Sequence, residues 1–375
     1  MFAVTITGVL ANTLVAPALP ELAADLSIPD WQAALVITAA TVPGIGLAPL
    51  VGLVADRRGR RPVLVACLVA FGVFGLAGAA APSLPWLLAA RAGQGAGSAG
   101  LINLAVVLLA DTFDGEERAR RIGQNAAVLT ATIAVAPPLG GALAAAGGWR
   151  LTFVPFALGL VVAVAVVVTL PPEPRRPPTK TSLLADLRAA GPALAAQPVR
   201  STLTTGVVVF ILLFGVALTT MPFLLTSQFG LTSGAIGAVM AAPSVTSTLM
   251  SLNVSRIRAW LGPGRMVTTG LVAMAMSFAG VAVSPWLGLV VAFVLIQGLG
   301  EGLLIPALQD QVAGGAPEHQ RAVVIAVWVG FVRLGQAIGP AAAGIGLALW
   351  GGSAVFAAGA GLAALWAIWW ARRGW

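Results

Sequence analysis

Long apolar runs dominate this sequence. Uncharged stretches of roughly 18 residues or more recur along it, the length a helix needs to cross about 30 Å of hydrocarbon. A helix closes its own backbone hydrogen bonds, which hydrocarbon cannot do for it. A transmembrane β-barrel would instead show segments of about ten residues with alternating polarity. Charged residues make up 9% of the chain and hydrophobic ones 58%, whereas a soluble domain carries about 25% charged residues. Mean hydropathy is +0.95. These features define an all-helical integral membrane protein, and its 45 glycines suit helices that pack closely through small residues.

Twelve spans are expected, bounded by charge and by Gly/Pro turns, at 1–19, 32–55, 62–81, 85–111, 122–146, 151–170, 201–227, 233–255, 266–284, 287–312, 322–349 and 353–371. The first has neither a basic stretch before it nor a small-residue cleavage site, so it reads as a retained helix. Eighteen of the 21 Lys and Arg fall on one side. They are Arg57, Arg58, Arg60 and Arg61, then Arg118, Arg120 and Arg121, then Arg175, Arg176, Lys180, Arg188 and Arg200, then Arg256, Arg258, Arg265, Arg321, Arg372 and Arg373. The opposite loops hold Arg150, with Glu21, Asp25 and Asp30 in the first of them, while Arg91 and Arg333 lie inside spans. The positive-inside rule then expects both termini in the cytoplasm and the protein in the cell's inner (cytoplasmic) membrane. The net charge of +8 is thus a topology signal, shared among alternate loops, and nucleic acid is not an expected partner. One cysteine, Cys67, and one histidine, His319, read as packing and loop residues. Neither a metal site nor a cofactor is expected.

Residues 171–199 break the apolar pattern. Five prolines in eight residues (171–178) favour extended chain, and "SLLADLRAA" suits a short amphipathic helix at the interface. The expected organisation is a six-helix bundle over 1–170, a cytoplasmic linker over 171–199 and a second six-helix bundle over 200–375. The bundles look like copies. An offset of 203 carries Gln94, Gly95 and Gly97 onto Gln297, Gly298 and Gly300, Arg118 onto Arg321, Pro137 onto Pro340 and Gly141 onto Gly344. Six spans is an even number, so the repeat is parallel. Two parallel bundles able to rock about a central cavity form a transporter architecture.

Three motifs stand out. The first is Gly52-Leu53-Val54-Ala55-Asp56-Arg57-Arg58-Gly59-Arg60-Arg61, the turn after the second span. Gly52 and Asp56 share a helix face; glycine admits a close neighbour, and Asp56 can pair with Arg60 or meet a helix N-terminus. The second is Arg91-x-x-Gln94-Gly95-x-Gly97, inside the fourth span, where Arg91, Gln94 and Ser98 form one stripe. An intramembrane arginine belongs against a polar interior or a partner. The third is "APPLGG" at 136–141, with Pro137, Pro138, Gly140 and Gly141, a helix-kink and close-packing device repeated by Gly335, Gly339, Pro340 and Gly344.

With these motifs the whole chain resembles the major facilitator superfamily, and most of all its twelve-span drug:proton antiporters. The first motif matches the family pattern save for Val54. The third has Ala136 where the antiporters carry glycine. The resemblance implies that Gly52, Asp56, Arg57, Gly59, Arg60 and Arg61 form a cytoplasmic gate and that Arg91 lies near proton coupling. It also implies cavity walls from the first, fourth, seventh and tenth spans. Asn12, Gln94, Asn103, Thr205, Phe210 and Gln297 are then substrate-cavity candidates.

Two further charges lie deep in the membrane. Glu301 in the tenth span and Arg333 in the eleventh are both about eleven residues from a cytoplasmic end, which permits a pair. Glu301 is expected to carry the proton, with Arg333 as counter-charge; a fixed structural ion pair is the alternative. The expected function is proton-coupled efflux of a small amphiphilic compound, a drug or natural product, by a monomer in the lipid bilayer. The alternative is an uptake carrier or facilitator for a metabolite. An enzyme is not expected, since no paired carboxylates or histidine cluster would support catalysis.

Overall fold

The computed structural model describes residues 1–170, 183–315, 317 and 320–373, and every regular element among them is helical. His319 and residues 171–182 of the linker, with Arg175, Arg176 and Lys180, lie outside the described residues. Eleven helices are long and apolar enough to cross a membrane. The first ten are α1 (Phe2–Asp25), α2 (Asp30–Arg58), α3 (Arg60–Ala79), α4 (Leu84–Thr112), α5 (Gly115–Gly147), α6 (Trp149–Thr169), α7 (Val199–Phe229), α8 (Ser233–Leu252), α9 (Val254–Val283) and α10 (Leu287–Gly314). The remaining helix, Arg321–Ala371, has 51 residues. At 1.5 Å per residue it would extend roughly 75 Å, over twice the hydrocarbon thickness. Gly351 breaks it, with φ 78° and ψ 172°. Gly346 lies against Val355, so the arms fold back on each other as α11 (321–350) and α12 (352–371). Counted with this break, the long apolar helices among the described residues are compatible with the twelve spans the hydropathy pattern leads one to expect.

Boundaries differ from expectation where charge or proline misled. Pro17 sits in a short 3-10 turn, Ala16–Ala18, and the helix resumes over Leu19–Asp25. Glu21 and Asp25 therefore stand on α1 and not in a loop. α5 begins at Gly115, seven residues before the expected start, because "GEERARR" is a good first turn. Glu116 and Glu117 face the positive helix end, and Glu117 pairs with Arg120 at 2.6 Å and Arg121 at 2.7 Å. α9 starts at Val254 and breaks at Gly262 (φ 74°). Within the linker, Leu183–Ala195 is helical. The middle of α7, Leu212–Thr220, is wound as a π-helix, with the Thr219 and Thr220 hydroxyls donating to the Phe214 and Gly215 carbonyls five residues back.

Apolar side chains face outward as a bilayer requires. Val161, Val164 and Val168 form an exposed stripe on α6. Exposed Trp31 and Trp86 stand at the starts of α2 and α4, just ahead of α10 is Trp286, and Trp350 ends α11, all at the boundary opposite the basic loops.

The helices gather into two units, α1–α6 together with 232–237, and the helices from Leu183 onward without that stretch. The internal repeat reappears in each unit contact for contact. In the first, a methyl group on Gly95 would collide with Ala40 O of α2, and one on Gly97 with Phe71 N and Cys67 O of α3. In the second, a methyl on Gly298 would collide with Pro243 O of α8, and one on Gly300 would crowd Gly270 O and Met274 of α9. Adding 203 to residues 40, 67, 71, 95 and 97 gives 243, 270, 274, 298 and 300. The same glycines press α4 onto α2 and α3, and α10 onto α8 and α9.

Candidate transport site and gates

With its glycines turned to two neighbours, α4 leaves Arg91 and Gln94 facing α1, α2 and α6. Arg91 is fully buried. Its guanidinium donates to Val36 O of α2 at 3.1 Å, to Gln94 Oε1 at 2.5 Å and to Asn12 Oδ1 of α1 at 2.6 Å. The Phe153 ring of α6 lies 5.8 Å away. Each of these oxygens is uncharged, so the cation is solvated by amides from three helices. Gln94 Nε2 is buried and makes no hydrogen bond among the described residues. Ser98 closes onto Gly95 O at 2.9 Å, which completes its stripe within the helix. Asn103, expected with these residues, is exposed farther along α4.

In the second unit, Gln297 Nε2 donates to Glu301 Oε1 at 2.7 Å, one helical turn on. Gln297 is buried and Glu301 half-buried, while Gln297 Oε1 is buried and unpartnered among the described residues. Arg333 is half-buried on α11. Phe210 and Phe214 stack along one face of α7, centroids 6.2 Å apart, with Phe210 against Gly335 of α11. Thr205 departs from expectation. It is fully buried, donates to Ser201 O at 2.8 Å and accepts from Trp366 Nε1 of α12 at 2.9 Å. Its hydroxyl serves helix packing and not a cavity wall.

The turn at 52–61 adds a partner that the sequence reading lacked. Gly59 has φ 95° and makes the bend between α2 and α3. Arg57 and Arg58 are exposed. A methyl group on Gly52 would meet nothing, so no helix of its own unit lies close to it. Asp56 is 57% exposed and 3.8 Å from Arg60. Arg60 also makes a closer ion pair with Asp111 at the end of α4. Arg61 donates to Val167 O of α6 at 2.5 Å. The second unit carries a comparable tie, Arg258 of α9 to Asp310 of α10 at 2.8 Å. Asp111 was legible only as a helix-end acid; its partner lies 51 residues away in sequence, beyond any local spacing rule.

On the opposite side, Glu21 accepts from Trp149 N at 3.1 Å and from Ser233 Oγ at 3.0 Å. Asp25 accepts from Trp149 Nε1 at 2.9 Å and Arg150 at 2.5 Å. Arg150 also lies over the Trp149 ring at 4.4 Å. No spacing rule in the sequence joins these residues. Beside this cluster, α5 stays helical through Pro137 and Pro138. A methyl on Gly140 would collide with Leu14 O, and one on Gly141 with Ser233 O. In the second unit, Gly339, followed by Pro340, meets Ile211 O of α7 in the same way. These prolines and glycines act as helix-crossing points.

Two units repeating one packing scheme, each with charged side chains inside its spans, define a membrane transporter and not an enzyme. The chain belongs to the Major Facilitator Superfamily, whose model matches residues 1–224 and again 203–374. It is 27% identical over 353 residues to the bacillibactin exporter of Bacillus subtilis (strain 168), covering 88% of this chain and 85% of that protein. It is 38% identical over 143 residues to the puromycin resistance protein pur8 of Streptomyces alboniger, covering 38% of this chain and 28% of that protein. Among solved structures, a bacterial homolog of the human lysosomal transporter Spinster, inward-facing and occupied, superimposes with a TM-score of 0.76 at 19% identity, covering 99% of this chain and 95% of that one.

Proposed function

We propose that this protein exports small amphiphilic compounds, drugs or natural products, in exchange for protons by alternating access. Glu301 carries the proton, with Arg333 as counter-charge and Arg91 as a second electrostatic partner. The observation that supports this most is Glu301 itself, the one acid of the sequence deep within a span, positioned by Gln297 on a helix whose glycines fix its other faces. Asn12, Gln94, Asn103, Phe210 and Gln297 contact the compound. Gly52, Asp56, Arg57, Gly59, Arg60 and Arg61, joined by Asp111, form the cytoplasmic gate. The protein works as a monomer in the cytoplasmic membrane with both termini in the cytoplasm. The two relatives, an exporter of bacillibactin and a puromycin resistance protein, support the efflux direction.

The test is substrate-dependent proton movement in proteoliposomes screened against a panel of amphiphilic compounds. Wild-type protein should move protons and compound together, and Glu301→Gln should abolish both. Survival of both in Glu301→Gln would remove the carrier role. Transport that persists after the proton gradient is collapsed would replace export by facilitated diffusion.

A further inference from the structure

Gln94 and Gln297 occupy equivalent places in the internal repeat, and each uses one end of its amide on a charged side chain of its own helix. The chemistry of each partner fixes which end. A guanidinium has donors only, so Arg91 takes Gln94 Oε1; an ionised carboxylate has acceptors only, so Glu301 takes Gln297 Nε2. The free ends are therefore opposite: a donor, Nε2, in the first unit and an acceptor, Oε1, in the second, both buried and without a hydrogen bond among the described residues.

We propose that the Gln297 amide turns over when Glu301 takes up a proton, so that one protonation event replaces the acceptor offered by Gln297 with a donor. This rests on Glu301 as the proton-carrying group. A protonated carboxyl presents an O–H that needs an acceptor. The last torsion of glutamine is broad and roughly two-fold, and the amide fills nearly the same space either way round. No partner on Oε1 among the described residues opposes the turn. After it, Oε1 accepts from the Glu301 O–H, the proton stays on Glu301, and Nε2 stands where Oε1 stood. Gln94 cannot follow, because Arg91 stays a donor throughout. A compound with an N–H or O–H group is accordingly held by Gln297 while Glu301 is ionised and loses that bond on protonation.

Few other charges can interfere. Of the helices around α10, α8 carries none, α7 carries Arg200 in its first turn, α9 carries Arg256, Arg258 and Arg265 near its start, and α11 carries Arg333 at depth and Arg321 at its start.

The experiment is infrared difference spectroscopy between high and low pH on the full chain in lipid nanodiscs, with the glutamine side-chain amides isotopically labelled. On acidification the wild type should gain a carboxylic-acid band and shift a glutamine amide band with the same midpoint. Glu301→Gln should lose both changes, and Gln297→Met the amide change alone. A carboxylic-acid band that depends on Glu301 but titrates without any amide shift would overturn the turning amide and leave Glu301 as proton carrier. Absence of the acid band, or its persistence in Glu301→Gln, would overturn the carrier reading and this inference with it. Should either variant fail to fold, co-titration of the two bands in labelled wild type decides.

Discussion

Arg91 of α4 and Asn12 of α1 are joined by a hydrogen bond of 2.6 Å, while the same guanidinium holds Val36 O of α2 and Gln94. One planar fork thus ties three helices in an interior that offers it no carboxylate among the described residues. An ammonium cannot serve three acceptors in that geometry. Arg91→Lys is expected to lower stability by about 1–3 kcal/mol for each acceptor left unserved and to cut transport at least tenfold. Asn12→Ala, which removes one arm, should be milder. Thermal unfolding of the purified variants beside vesicle uptake checks both; an Arg91→Lys protein as stable and active as wild type would refute the hub.

The Arg60–Asp111 pair makes a separable prediction. Asp111→Ala should lower stability by about 1 kcal/mol, as for other partly exposed ion pairs. Exchanging the two residues, Arg60→Asp with Asp111→Arg, should restore most of it. If the double variant is no better than the sum of the single ones, the pair is not coupled. Asp56→Asn should change stability by less than about 1 kcal/mol, because Asp56 is 57% exposed and its ion pair with Arg60, at 3.8 Å, is long and solvent-screened.

Gly95→Ala and Gly298→Ala should destabilise alike, by about 1–3 kcal/mol, since each drives a methyl group into a neighbouring helix's carbonyl. Gly52→Ala should behave in the opposite way. Open space surrounds it, and alanine favours helix, so stability should hold or rise by up to about 1 kcal/mol. Lost transport in a stable Gly52→Ala protein would mark a conformation in which a helix closes over that position. Full activity would remove Gly52 from the gate.

Trp149→Phe keeps an aromatic ring but deletes the donor to Asp25 and trims a buried indole. A loss of about 1–3 kcal/mol is expected, from the hydrogen bond and the space left behind. Asp25→Asn, which also weakens the contact with Arg150, should exceed it. Denaturation midpoints would rank them, and the reverse order would show that the ring and not the hydrogen bond holds the corner.

Hydropathy and the placement of arginine were enough to read the helical class and the membrane-crossing segments, because bilayer thickness and the charge rule act on composition alone. The offset of Gln94 and Gln297 even carried the packing partners of α4 and α10, as glycines at crossing points leave little choice of neighbour. The site was legible only in part. Arg91 with Gln94 was readable from helix period. The Asp56–Arg60 pair was readable in the same way, but the closer tie of Arg60 to Asp111 was not, since a partner on another helix depends on crossing geometry. Thr205 looked like a wall residue because a hydroxyl in a span does not announce whether an indole on another helix will claim it. Glu21 and Asp25 were assigned to a loop because two prolines ahead of them suggested an ending that a 3-10 turn avoided.

The one-residue reversal at Gly351 bears on how the chain is made. A single glycine leaves no polar loop to pause at the membrane surface between the last two crossings. α11 and α12 must enter the bilayer together, as a hairpin already bent. Insertion of α11 and α12 is then a paired step, and a bulkier residue at 351, where φ is 78°, would first be felt there, before the folded protein had any compound to move.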